Sequence, residues 1–323
     1  MQRLKDFLKV GRSAPPRADR LVSDQPTSSD AASSALWSPS DSDPPNPTTS
    51  DSSPPFPDGI KVWHDCPDAT IDICFVHGLT GNRDNTWTAS KQSKPWPTML
   101  LPPKLPRARL LAWGYDAYVV QASIASENRL TDHAMNLLID LTHDRRDAFD
   151  RPLIFVAHSL GGLVCKEAIL LSRNNPEPHL CNVFEHMAGI IFMGTPHRGS
   201  WIADWMKIPA SCLGVLKSTN KSLLQVLGTD SHLLESIQVR FWSMVREQRE
   251  SGRRLEITCF FEELPLPVVG KVVSKESATI EGYMSVSVHA NHRDMVRFRT
   301  ENENGFKRLV GDLMRLYQRA KKF

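Results

Sequence analysis

The chain has 323 residues, of which 41% are hydrophobic, and this suits one large folded domain with extensions better than several domains. Its formal net charge of +3 is too small to indicate a nucleic-acid-binding protein. The six cysteines are scattered without the spacing of a metal site, which favours free thiols in a reducing compartment and no bound metal. No apolar run is long enough to span a bilayer.

Residues 1–10 place Leu4, Phe7 and Leu8 on one helical face, with basic residues beside them. This pattern is typical of a peripheral membrane anchor, and it also resembles part of a mitochondrial presequence. An unstructured, solvated terminus is the third interpretation. We therefore expect a cytoplasmic protein, with the mitochondrion or a membrane surface as the alternatives.

Residues 11–58 consist largely of Ser, Pro and Asp. Such a segment cannot bury enough apolar surface to offset the entropy lost on ordering, so we expect it to be disordered. The domain organisation predicted from the sequence is a tail over 1–58, which includes the short amphipathic segment, and one folded domain over 59–323.

Strand and helix patterns alternate along the rest of the chain. We predict strands at 60–62, 69–76, 108–113, 153–157, 188–193, 254–261 and 272–280. The helices are expected near 95–105, at 131–147 and after residue 162, and an amphipathic helix closes the chain. This alternation predicts a mostly parallel central sheet with helices on both faces. Functional sites in such folds lie at the carboxyl ends of the strands.

Residues 201–250 are predicted to form a helical insert, which we place after the sixth strand of the fold. Its first part is apolar on several sides, with Trp201, Trp205 and Leu213 among the large side chains. The segment could form a lid that lines an acyl pocket, or it could pack as an ordinary peripheral helix. Both interpretations stay open at this point.

Ser159 stands at the point where a buried strand ends and a helix begins, in the run His158-Ser159-Leu160-Gly161-Gly162. A sharp strand–turn–helix connection exposes the serine hydroxyl and needs small residues two positions to either side. Ala157 and Gly161 meet this requirement, although glycine is usual at the first position. We predict that Ser159 is a catalytic nucleophile, with a buried structural serine as the alternative.

An earlier strand, at 69–76, runs into His77-Gly78-Leu79-Thr80-Gly81. Attack of a serine on an ester creates an oxyanion, which two backbone N–H groups can stabilise. One of these groups comes from the residue after the nucleophile, here Leu160, and the other from the loop after this strand. We predict Leu79 for the second position.

A serine nucleophile needs a histidine to accept its proton and a carboxylate to orient that histidine. His292 lies in the loop after the last predicted strand, where the base belongs, and we favour it over His289. His77 and His158 are interpreted as supporting residues. The order of serine, carboxylate and histidine is that of the α/β-hydrolase fold.

The sequence offers four candidates for the carboxylate: Glu262, Glu263, Asp204 and Asp294. Glu262 and Glu263 directly follow a predicted strand and should point to opposite sides, so only one of them can face the histidine. Asp204 lies in the insert, and Asp294 is too near His292 in sequence to orient its ring well.

Several motifs together resemble the serine-active-site-containing protein family, a lipase-like group that includes the hydrolase domains of fungal NOD-like-receptor and ankyrin proteins. They are HGLTGNRDNTW, GYDA, AHSLGGLVCKEA, FMGTPHRGS, CFFEE, ESA and NHRDMVRF, and they cover about residues 60–300. The resemblance implies an α/β-hydrolase fold and lipid esterase activity. By position it also implies Ser159 as nucleophile, His292 as base and Glu262 as acid.

We therefore expect a serine hydrolase that cleaves a carboxylic ester, of lipid or acyl type, through a Ser-His-Glu triad and an acyl-enzyme. It should need no cofactor and no metal, and no nucleic acid is expected as a partner. Two alternatives remain: a hydrolase or thioesterase of a fungal secondary-metabolite pathway, and a non-catalytic interaction module on a hydrolase scaffold. The complete set of serine, acid and histidine favours an enzyme.

Overall fold

The computed structural model describes residues 57–78, 81–116, 126–198, 231–267 and 269–320. The predicted amphipathic segment and nearly all of the predicted tail lie outside the described residues, as does the apolar part of the insert. The boundary between residues 58 and 59 therefore stays a prediction.

The described part of the chain contains a seven-stranded sheet in the order β1-β3-β2-β4-β5-β6-β7. β1 pairs with β3 in the antiparallel sense, and every other pair is parallel. The strands are β1 (Gly59–His64), β2 (Ile71–Val76), β3 (Ala108–Gly114), β4 (Leu153–His158), β5 (Met187–Met193), β6 (Glu256–Glu262) and β7 (Met284–Val288). The α/β-hydrolase architecture expected from the order of motifs is confirmed.

The described helices are α1 (Trp96–Leu100), α2 (Ser126–Asp144), α3 (Gly161–Arg173), α4 (Pro178–Glu185), α5 (Ser231–Glu250), α6 (Lys275–Ala278) and α7 (Asn304–Ala320). None of these helices is long and apolar enough to cross a membrane. They pack on both faces of the sheet, as expected. Alternate residues of β4 show this: Phe155 belongs to the core that includes α2, α3 and α5, whereas Ile154 belongs to the core that includes α7.

Two details of the predicted chain order are wrong. The last strand is not at 272–280, because the Ser274 hydroxyl caps the short helix α6 by accepting a hydrogen bond from the N–H of Ser277. The seventh strand is β7, which pairs with β6. The segment 201–250 also follows the fifth strand and not the sixth, since β6 begins only at Glu256.

Candidate active site

Ser159 occupies the turn between β4 and α3. Its φ is 55°, in the left-handed region that residues with a Cβ rarely adopt. The neighbouring strand stabilises this unfavourable backbone conformation, because the N–H of Ser159 donates to the carbonyl of Met193 on β5 at 2.9 Å. The residue is 2% exposed, and its Oγ makes no hydrogen bond within the described residues. Strained backbone with an unengaged hydroxyl is typical of a nucleophile.

The loop after β2 lies directly against this turn. A Cβ placed on Gly78 would be 2.7 Å from the Cβ of Ser159, and one on Gly161 would be 2.3 Å from the carbonyl oxygen of His77. Both positions therefore need glycine for the two segments to approach so closely. The sequence predicts that these two segments lie at the same edge of the sheet, because each directly follows a strand of a parallel sheet.

Leu160 is the N-cap residue of α3, and backbone N–H groups at the start of a helix have no partner within that helix. The side chain of Leu160 is buried in the core next to the turn. Leu79, the other residue predicted for the oxyanion site, lies outside the described residues.

The neutral ring of His77 fixes the start of the same loop. Its Nε2 accepts the N–H of Tyr115 at 3.2 Å, so Nδ1 carries the proton and donates to the carbonyl of Gly78 at 2.8 Å. Burial lowers the pKa of His77 to about 4. The ring of Tyr115 stacks on His77 at 4.5 Å, and its hydroxyl donates to the His77 carbonyl. Sequence reasoning assigned no role to Tyr115, although its place just after β3 put it at the correct edge.

Glu262 and His292 form a buried pair at the carboxyl end of β6. Nδ1 of His292 lies 2.9 Å from Oε2 of Glu262, and the side chains are 7% and 1% exposed. The other carboxylate oxygen, Oε1, accepts hydrogen bonds from the N–H groups of Val272 and Val273. These two backbone donors hold the carboxylate in place and stabilise its charge.

Glu263 points the other way and pairs at the surface with His289, whose Nδ1 lies 2.8 Å from Oε2. The two consecutive glutamates therefore face different histidines, as the alternation of side chains along a strand requires. Asp294 instead accepts a hydrogen bond from the side chain of Asn291. Asp204, the remaining candidate, lies outside the described residues.

His158, the last residue of β4, supports the segment that carries His292. Its Nε2 donates to the carbonyl of His292 at 3.0 Å, and the two rings are 4.9 Å apart. Burial, together with the nearby His292, lowers the pKa of His158 well below its usual value, so the ring is neutral. This neutral state agrees with one donating nitrogen and one unprotonated nitrogen.

A second polar cluster is buried around Lys166, on the helix α3 that follows Ser159. The Nζ of Lys166 on α3 is buried 2.7 Å from Nδ1 of His197 and 2.6 Å from Oε1 of Gln238. On the far side of the imidazole, Nε2 lies 3.6 Å from the Sγ of Cys259. Burial lowers the pKa of Lys166 to about 7 and raises the pKa of Cys259 to about 12. Sequence reasoning did not find this cluster, because its four members are far apart in the chain.

The model of a family described as "Putative serine esterase (DUF676)" matches residues 72–237, slightly more than half of the chain. The chain is also similar to Protein SERAC1. The protein from Homo sapiens is 26% identical over 268 residues, which cover 75% of this chain and 39% of that protein. The one from Danio rerio is 28% identical over 173 residues, which cover 46% of this chain and 26% of that protein.

Among solved structures, the chain is similar to the mature lipase BlEst2 of Bacillus licheniformis, at 14% identity and a TM-score of 0.47, over 79% of this chain and 95% of that one. It is also similar to a protein from Burkholderia cenocepacia described as "a putative aryl esterase", at 14% identity and a TM-score of 0.45, over 82% of this chain and 95% of that one.

Proposed function

The chain belongs to the family described as "Putative serine esterase (DUF676)", and from this premise we propose that it cleaves an acyl or lipid ester through Ser159, His292 and Glu262. Membership in this family supports a serine hydrolase that acts on an ester. The triad and the acyl character of the ester are the parts that we add.

The observation that carries the proposal is the meeting of two features at one edge of the sheet. Ser159 sits in a left-handed turn with its hydroxyl unengaged among the described residues, and the buried carboxylate of Glu262 lies 2.9 Å from the imidazole of His292. His158 links the two, since it adjoins the serine in sequence and donates to the carbonyl of His292. A decayed, non-catalytic scaffold would have no need to keep all of these groups in place.

In the proposed reaction the Oγ of Ser159 attacks the ester carbonyl carbon, and His292 takes the proton from Oγ. Glu262 stabilises the proton on Nδ1, which leaves Nε2 as the base. The tetrahedral intermediate collapses when His292 gives the proton to the leaving alcohol. A water molecule, activated by the same histidine, then releases the acid from the acyl-enzyme.

The negative charge of the intermediate needs backbone donors that are already in position. We assign the N–H of Leu160 to this role because it stands at the start of α3, where the helix dipole also favours negative charge. The second donor is proposed to be the N–H of Leu79. The two residues before Leu79 are held in place by the His77 ring, which donates to the carbonyl of Gly78 and accepts the N–H of Tyr115.

Labelling of the whole chain with a fluorophosphonate probe tests the nucleophile. The adduct should be found on Ser159 by peptide mass spectrometry, and the Ser159→Ala variant should be unlabelled and inactive on nitrophenyl esters while its thermal midpoint stays close to that of the wild type. The matched control is Ser172→Ala, which removes a hydroxyl that bonds to the carbonyl of Leu180. This variant should keep its label, even if its stability falls. Full activity in Ser159→Ala would refute the proposed role.

The acyl preference is tested by a series of nitrophenyl esters of increasing chain length. Each added methylene that is buried contributes about 0.8 kcal/mol, so kcat/KM should rise roughly fourfold per methylene until the pocket is filled. The expectation is based on the apolar sequence of the insert, which includes Trp205 and Leu213. A flat or falling kcat/KM would indicate a small, polar ester.

A further inference from the structure

A pocket of about 340 Å³ lies next to the loop that follows β5, on the side of the sheet covered by α5. One face of α5 lines it with Trp242, Val245, Arg246 and Arg249, which follow helical spacing. The volume falls in the range of binding sites for small molecules. The serine mechanism proposed above does not use this pocket.

The pocket is strongly basic. Arg198 from the loop after β5 joins Arg246 and Arg249, and Glu281 is the one acidic residue that lines it. Three guanidinium groups and one carboxylate give the described lining a net charge of +2. Within the described part of the chain, none of these three arginines has a carboxylate within 4.0 Å.

Other charged residues of α5 behave differently. Arg240 pairs with Glu167 at 2.9 Å, and Glu247 pairs with Arg173. Arg240 and Glu247 of α5 thus form ion pairs with residues of α3. Arg246 and Arg249, which line the pocket, have no such partner among the described residues. Guanidinium groups that line one concave site and have no carboxylate partner among the described residues favour an anionic ligand.

Aromatic side chains in the lining of the pocket provide a second kind of contact. Trp242 and Tyr283 face each other across 6.1 Å between ring centroids, and both line the pocket. His197, also in the lining, is backed by the buried Nζ of Lys166 at 2.7 Å. An aromatic or apolar group can pack against the rings while an anionic group bonds to the arginines.

We propose that this pocket binds a small organic phosphate, with the phosphate on Arg246, Arg249 and Arg198 and the organic part against Trp242 and Tyr283. A phosphate monoester carries close to two negative charges at neutral pH, which balances the net charge of the lining. Guanidinium groups also match phosphate oxygens in geometry, with two parallel hydrogen bonds per pair. The proposal does not depend on the assignment of the triad.

Calorimetric titration of the full chain tests the proposal with three probes: phenyl phosphate, inorganic phosphate and phenol. Phenyl phosphate should bind most tightly, because it uses both the arginines and the rings, and its affinity should fall as salt is added. Equal binding of phenol would contradict an anion site. Equal binding of inorganic phosphate would contradict the role of the rings, and absence of saturable binding by all three would overturn the proposal.

The variant Arg246→Gln/Arg249→Gln should weaken binding of phenyl phosphate by about tenfold or more, since each lost charged bond has a cost of that order. The control Arg146→Gln/Lys307→Gln removes two positive charges from exposed residues that do not line the pocket, and it should bind as the wild type does. Tyr283→Leu should weaken phenyl phosphate but not inorganic phosphate. Equal affinity in the double arginine variant and its control would refute the site. Binding is measured without turnover, so this result is independent of the outcome for Ser159.

Discussion

Gly194 lies against the imidazole of His292 so closely that a Cβ on the glycine would be 2.9 Å from Cε1 and 3.0 Å from Nδ1. The glycine directly follows β5 and has a φ of 61°, and its N–H donates to the carbonyl of Phe260 on β6. The imidazole of His292 therefore packs directly on the backbone of Gly194, in space that any larger side chain at this position would fill.

We expect Gly194→Ala to lower kcat by about 10²-fold, since a displacement of about 1 Å in a catalytic group can have that effect. The left-handed backbone adds a stability cost of about 1–2 kcal/mol. Gly282→Ala is the matched control, because Gly282 has a φ of 80° but no atom within 4 Å of an added Cβ. The control should share the loss of stability and keep its kcat. Equal kcat in the two variants would show that Gly194 does not position His292.

Glu262→Gln should lower kcat by roughly 10⁴-fold, because an amide no longer favours the tautomer of His292 with its proton on Nδ1. Glu263→Gln is the matched control: it is the next residue along the strand, and its carboxylate pairs with the exposed His289. That variant should retain nearly full activity. Steady-state kinetics on one nitrophenyl ester separates the two. A loss confined to Glu263→Gln would move the acid one residue along, and two active variants would direct attention to Asp204.

His158→Ala should lower kcat by about fivefold, since it removes one buried hydrogen bond worth about 1 kcal/mol from the segment that carries His292. His158→Gln can still donate to that carbonyl and should recover part of the activity. The fraction of protein labelled by a fluorophosphonate in a fixed time should fall in the same order, from the wild type to His158→Gln to His158→Ala. If the two variants had equal kcat, the hydrogen bond would have no part in positioning the base.

The sheet, and the edge of the sheet at which the site lies, could be predicted from the sequence because local patterns encode them. Buried strands read as apolar runs, and the small residues around Ser159 are needed wherever a strand turns sharply into a helix. The strand predicted at 272–280 failed because its apolar residues are buried beside a capped short helix, and apolar content alone does not distinguish the two.

The remaining features depend on tertiary contacts, which no local pattern encodes. The support of the His292 carbonyl by His158 joins residues 134 positions apart, and the bond between Lys166 and Gln238 spans 72 positions. A single chain gives no periodic or compositional sign of such pairs. Glu262 and Glu263 also look equivalent in sequence, and their roles differ only because of what lies on each side of the sheet.

Lys166 leads to a prediction about stability and pH. Its folded pKa is lowered by burial to about 7, whereas an unfolded lysine titrates near 10.4. Between these values the unfolded chain binds more protons than the folded one, so the contribution of Lys166 to the free energy of unfolding rises with pH. The slope from one group approaches about 1.4 kcal/mol per pH unit well above pH 7, and the contribution is constant and unfavourable at lower pH.

Urea unfolding of the wild type and of Lys166→Met at pH 7.0, 7.75 and 8.5 measures this slope. The variant should lose most of the rise, so its stability relative to the wild type should fall by about 1.6 kcal/mol over this range. The absolute stability of the variant does not test the idea, because His197 and Gln238 lose a partner at every pH. Lys307→Met removes an exposed lysine from α7 and should keep the wild-type slope. If Lys166→Met also kept that slope, Lys166 would carry its proton in the folded protein throughout the range.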